Sequence, residues 1–408
     1  MTHSIAITSI GLCTPLGQTP QQVLANLLAG DTSAMVLRDD LMFNATTRVG
    51  AIDDALLQQI PENLSQFDCR NNRLLYSAAK QLDKLIEQAK QQFGASRIAV
   101  VLGTSTSGIS KGEAALSYHA KHGTFPPAYH YAQQELGSTS DFLRQYYDLS
   151  GPCYTVSTAC SSSTKVFASA KRLLNADLCD VVIVGGVDSL CQLTVNGFNA
   201  LESVSAGLCN PFSQNRDGIN IGEGAALFTL EKSSTNNPEE IILAGIGESS
   251  DAHHISAPHP QGTGAIAAMN NALTDANLQP NQISYVNLHG TATPKNDAME
   301  SLAMQQVFAN TDGASIPFCS STKPLVGHCL GAAGAIEAAF CYLLLSHHND
   351  KQMLPPQVWD QQQDVDNPVL PLVTHGQSTT LDYIMSNSFA FGGSNASIIL
   401  GRSRGQHA

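Results

Sequence analysis

The chain has 408 residues, 43% hydrophobic and only 13% charged, with a formal net charge of −13. That length allows a large core in two domains or two fused halves, and the acidic balance argues against nucleic acid, because phosphate binding needs a basic face. So few charged residues predict extensive burial, in a large core or in a subunit interface, and an oligomer is expected, most simply a C2 dimer.

Ten scattered cysteines without a CxxC pair fit a reducing cytoplasm better than a disulfide scaffold. The opening MTHSIAITSIGL lacks the basic run of a signal peptide and reads as a strand entering a glycine turn. In chain order, short β-rich apolar runs predict strands over 4–10, 97–102, 181–184, 225–230, 241–246, 285–288, 384–386 and 397–400. Between them, helical patterns cover 20–29, 72–92, 161–175, 262–276, 297–308 and 330–346. Such alternation is that of an α/β protein. The apolar stretch 332–346 is too short to span a bilayer and contains Glu337, so it reads as a buried helix. The Gln-, Pro- and Asp-rich stretch 350–366 reads as a surface connection.

An internal repeat organises these elements. IAITSIGL opens the chain and IILAGIGES opens at residue 241. VVLGTSTSG is then matched by VNLHGTATP, STACSSSTKVFASA by SSTKPLVGHCLGAAGAIEAA, and VVIVGGVDS by SNSFAFGGSN. Two halves, 1–240 and 241–408, would bring equivalent turns around one cleft. The first would carry a candidate nucleophile and the second two histidines.

Cys160 lies in YTVSTACSSS, where a β-rich run enters and a helix of small residues leaves. A thiol near a helix N-terminus is expected to be stabilised as thiolate, although a cysteine in an alanine-rich stretch is more often a small core residue. His289 ends a strand and begins HGTATP, at the usual ligand crevice of an α/β sheet. His328, in KPLVGHCLGAAGAIEAA, precedes a helix whose dipole should keep its ring neutral. Lys323 sits in so apolar a segment that it needs a carboxylate partner, Glu337 or Glu300. In NSFAFGGSN, Gly392 and Gly393 let backbone N–H groups approach a substrate closely, and a backbone amide of this segment would complete an oxyanion hole. GTSTSGIS lacks the lysine of a phosphate loop. His253, His254 and His259 cluster without a zinc pattern, so no metal is expected.

Together TACSSS, HGTATPKND, STKPLVGHCLGAAGAIEA and NSFAFGGSN resemble the elongating 3-oxoacyl-acyl-carrier-protein synthases, over nearly the whole chain. The resemblance implies a thiolase fold, an αβαβα five-layer sandwich, assembled as a homodimer or as a heterodimer with a related synthase or chain-length-factor subunit. It implies Cys160 as nucleophile, His289 and His328 as the paired histidines, Lys323 as the electrostatic lysine and Glu337 as its partner. Thr291 and Thr293 would hold the phosphopantetheine arm, and Phe391 would gate the site. The implied reaction is decarboxylative condensation of an acyl thioester, held on Cys160, with malonyl-acyl-carrier protein. No cofactor is expected, since the arm travels on the carrier. Chain-starting synthases resemble Cys-His-Asn and thiolases Cys-His-Cys, so two histidines favour decarboxylation. The alternatives are a non-catalytic chain-length-factor-like subunit and a coenzyme A-dependent thiolase. The tract 189–224 is short for a fatty acid enzyme and resembles the synthases of aryl polyene pathways. Carrier docking is expected at Arg70 and Arg73, then at Lys165, Lys171 and Arg172.

Overall fold

The computed structural model describes residues 4–233, 239–309 and 315–403. Ten strands form one sheet in the spatial order Phe318–Ser320, Tyr285–Asn287, Tyr383–Phe389, Ser394–Arg402, Ile241–Ser250, Ile5–Cys13, Gly224–Lys232, Val181–Asp188, Ile98–Gly103, Cys153–Val156. This sheet is two copies of one pattern. In each half the second strand in chain order is flanked by the third and fourth, both parallel to it. The fourth, fifth and first then follow, each antiparallel to its neighbour. Even a register shift between the first and fifth strands recurs, near Ile7 in one half and Ile399 in the other. The halves meet where Ile5 pairs with Leu243 and Ala6 with Ile242.

Five layers result. Helix Ala333–Leu345 is apolar but for Glu337 and Tyr342 and is buried nearly all round, so no orientation leaves it a wet side. It packs beside Ser162–Asn175 and against strands of both halves, forming the central layer. The crossing is close because Gly334 has no side chain: a Cβ there would run into Thr164 Oγ1. Helix Arg70–Ala79 covers the outer face of the first half, and Thr263–Ala276 that of the second.

The structure revises several expectations. The helix expected over 72–92 is Arg70–Ala79 and Asp83–Phe93 joined by a 3₁₀ turn, Lys80–Leu82, which keeps Leu82 and Ile86 both buried. The helix expected at 297–308 starts earlier, at Pro294, a residue suited to the first turn, and ends in a π turn, Gln305–Ala309. Helix Ile109–His122 went unread because it buries only Gly112 and Ala115, leaving no apolar stripe. The hairpin Met35–Met42 and Ala45–Gly50 escaped because its apolar residues do not alternate with polar ones: Met35, Val36 and Leu37 run together and Arg38, Asp39 and Asp40 follow. Stretch 350–366 carries no helix or strand. No helix among the described residues is long and apolar enough to cross a membrane.

Candidate active site

Strand Cys153–Val156 leads into a tight turn before helix Ser162–Asn175, and Cys160 sits at its apex. Ala159 takes φ 52°, a left-handed conformation that costs a residue with a side chain about 1 kcal/mol or more. Surrounding bonds hold it there: Ser162 Oγ donates to Ala159 O at 2.5 Å and accepts from the Thr158 N–H at 2.9 Å. The turn is thus a strained nucleophile elbow. Burial pushes the Cys160 thiol up to about 11, while Lys323 and the backbone amides of Phe391 and Cys160 pull the other way. The expected thiolate stabilisation at the helix end is therefore outweighed, and the resting group is a thiol.

His328 Nε2 lies 3.0 Å from Cys160 Sγ. The His289 and His328 rings stand nearly perpendicular, with centroids 5.4 Å apart. Each residue is fixed through its backbone, which leaves the ring free for chemistry. The His328 N–H donates to Asn220 O at 2.6 Å, and its carbonyl accepts from the Gly222 N–H at 3.0 Å. The Glu300 carboxylate accepts from the His289 N–H at 2.8 Å and the Gly290 N–H at 2.7 Å. His328 lies between the short helix Lys323–Val326 and the 3₁₀ turn Leu330–Ala332 that leads into the long helix, just ahead of it as expected. Burial first, then the Lys323 charge, hold its ring well below the usual imidazole range. The same two causes, with a smaller push from His328, act on His289.

Lys323 Nζ bonds Glu337 Oε1 at 2.7 Å, with side chains 1% and 2% exposed. Of the two carboxylates left open by the sequence, Glu337 is thus the ion-pair partner. The Cys160, His289 and His328 donor atoms lie within 4.8 Å of one another, a set zinc could occupy only by displacing the chemistry proposed below. The His253 and His259 rings meet edge to face with centroids 4.9 Å apart, and neither joins a three-ligand cluster among the described residues.

A cavity of about 280 Å³ opens onto Cys160 and both histidines. Thr291 and Thr293 line it, their hydroxyls 2.9 Å apart. The short 189–224 tract forms part of its wall through Phe198, Leu201 and Ile219. The Phe391 ring meets Phe198 at 5.5 Å. Gly392 and Gly393, at φ 83° and 76°, make the turn, and their N–H groups donate to Ile255 O and Ala390 O. The amide of Phe391, in the same turn, acts on Cys160.

The docking candidates do not form a free basic patch. Arg70 clamps the fully buried Glu223 through Nε at 2.7 Å and Nη2 at 2.5 Å, and also pairs with Asp54. Arg73 forms a two-bond pair with Asp68 at 2.6 and 2.7 Å. Lys171 bonds Asp275, and Arg172 and Lys165 face Glu248. Two supporting carboxylates were missed as such. Asp297 and Glu300, three apart on one helix face, hold the 289–293 loop, with Asp297 accepting from the Ala292 and Phe212 N–H groups. Burial raises Glu300 to about 7. The GTSTSGIS segment also finds its purpose: Thr104, Ser105 and Thr106 wrap the buried Asp188, which also accepts from the Ala332 N–H and so ties the halves together.

Comparisons with known proteins agree with this geometry. The beta-ketoacyl synthase N-terminal domain model matches residues 2–236, and the C-terminal domain model matches 241–358. The 3-oxoacyl-[acyl-carrier-protein] synthase 2 of Coxiella burnetii is 29% identical over 98% of this chain and 98% of its own length. The mitochondrial 3-oxoacyl-[acyl-carrier-protein] synthase of Arabidopsis thaliana is 36% identical over 65% of this chain and 59% of its own. Among solved structures, a ketosynthase (ApeO) in complex with its chain length factor (ApeC) from Xenorhabdus doucetiae is 44% identical, with a TM-score of 0.91 and 98% of both chains covered. The chain belongs to the beta-ketoacyl synthase family, with the thiolase fold of its relatives.

Proposed function

We propose that this chain is an elongating 3-oxoacyl-acyl-carrier-protein synthase that condenses a Cys160-bound acyl group with malonyl-acyl-carrier protein. The observation that carries this reading is the buried Cys160–His328–His289 set, held beside a paired lysine. In the first half-reaction Cys160 Sγ attacks the acyl thioester. Its proton passes to His328 Nε2 and on to the departing pantetheine sulfur. The oxyanion forms where the Cys160 and Phe391 amides converge. In the second, malonyl thioester loses carbon dioxide, and the enolate oxygen takes N–H groups from two neutral imidazoles. A cationic pair is not required, and the Lys323 charge discourages one. The enolate carbon then attacks the acyl-Cys160 carbonyl, expelling the cysteine sulfur as thiolate, which takes up one proton from solvent to restore the resting thiol, and the chain is two carbons longer.

No resident cofactor is needed, because the arm arrives on the carrier. Ten free thiols fit a cytoplasmic location. The likeness to ApeO and the trimmed 189–224 wall favour the aryl polyene subtype and a chain-length-factor-like partner. The terminal strand Cys153–Val156, with Tyr154 39% exposed, offers an open sheet edge to such a partner. The test is product analysis with malonyl-carrier protein and a preloaded acyl-enzyme. A 3-oxoacyl product with one carbon dioxide released per turnover is expected. Product from acetyl-coenzyme A alone would make the protein a thiolase.

A further inference from the structure

The catalytic cavity carries one side chain that the mechanism leaves idle. Lys295, at the start of helix Pro294–Met304, is exposed and is the only lysine or arginine among the described residues that lines the cavity. It has no hydrogen-bond or ion-pair partner among the described residues. Most other cations near this site are committed: Lys323 to Glu337, Lys165 and Arg172 to Glu248, Arg216 to Asp364. Glu202 also lines the cavity and makes no ion pair with Lys295. Lys295 follows Thr293 by two residues, so the loop lining the route to Cys160 ends in a cation.

We propose that Lys295 is a binding residue for the phosphate of the phosphopantetheine arm, received where the cavity opens to solvent. This rests on reading the cavity as the arm's channel. A thioester positioned for Cys160 sends its pantetheine outward past Thr291 and Thr293, and the phosphodiester at the far end carries the arm's one charge. An ammonium met there is complementary to it. The malonyl carboxylate is a different anion, and it must sit beside the buried histidines to be lost as carbon dioxide. Holding it with an exposed lysine would oppose that loss.

Acyl transfer to Cys160 separates the two anions, because an acyl donor has the phosphate and no carboxylate. Loading of the whole protein is measured with acyl-4′-phosphopantetheine and with acyl-pantetheine, which lacks the phosphate. For Lys295→Ala the half-saturating concentration of the phosphorylated donor should rise about three- to five-fold, the size of an exposed ion pair. Lys295→Glu should raise it further and Lys295→Arg should restore it, with the limiting rate unchanged throughout. The unphosphorylated donor should be insensitive to all three, and the wild-type preference should shrink as salt rises. Equal changes with both donors, or none with either, would overturn the assignment. Wild-type protein that loads from neither donor would overturn the Cys160 reading itself, and this one with it.

Discussion

Replacing Lys323 by methionine separates two roles of the buried ion pair. Both side chains are almost wholly inaccessible, and Glu337 Oε2 already lacks a partner. Removing the ammonium strands a carboxylate, at a cost of about 3–5 kcal/mol, or a fall in Tm of about 5 °C in a chain this long. Burial already raises the Glu337 carboxyl, so the stranded group can escape by binding a proton. The destabilisation should therefore be smallest at acid pH and grow as pH rises. Lys323→Met with Glu337→Leu removes both charges and should recover most of the loss. Catalysis should not recover with it. The Lys323 charge helps to depress both histidines, after burial, so its removal lets imidazolium form at higher pH. The acid limb of the condensation rate should move to higher pH in the single and the double variant alike. Thermal denaturation across pH, with pH–rate profiles, reads both effects. A double variant whose profile superimposes on the wild type would refute the electrostatic role and leave Lys323 purely structural.

Glu300→Gln keeps the shape of the side chain that holds the His289–Gly290 turn but leaves one of its two N–H donors without an acceptor, costing about 1–3 kcal/mol. Because burial raises the Glu300 carboxyl to about 7, its contribution to stability is full below its ordinary value of 4.5 and is lost as pH rises through 7. Wild type should thus lose on the order of 3 kcal/mol relative to the variant between pH 4 and 8 by urea denaturation, and parallel curves would count against a buried carboxyl at this turn. Arg70→Ala should destabilise the fold by about 3–5 kcal/mol through the stranded Glu223, with no selective rise in KM for carrier-bound substrate. A selective KM rise in a fully stable variant would return Arg70 to the docking surface.

The repeat was legible because each half had to build the same strand-and-turn sequence, and equivalent turns keep their glycines and hydroxyls. Cys160, His289 and His328 were each ambiguous alone and became legible together, because all three lie at strand ends or tight turns in equivalent places of the repeat. Charge partners were harder to read. The residues alone left Glu337 and Glu300 both open to Lys323 and only the family resemblance chose Glu337; packing placed that one beside Nζ and the other beneath the His289 amide. Arg70 looked like a surface cation because a helix start is usually wet; only the long-range approach of Glu223, 153 residues away, encloses it. The thiol was misjudged similarly. Local sequence shows the helix end that favours thiolate, but not the burial that outweighs it, to which distant residues such as His328 contribute.

The central claim, that Cys160 takes up an acyl group through this site, is tested most directly by intact-protein mass after mixing with carrier protein loaded with different acyl groups. Wild type should gain the mass of one acyl group, with a preference among donors that names the pathway, and Cys160→Ala should gain none. No mass gain from any donor, or an equal gain in the variant, would contradict the account and leave the chain-length-factor-like subunit as the reading to pursue.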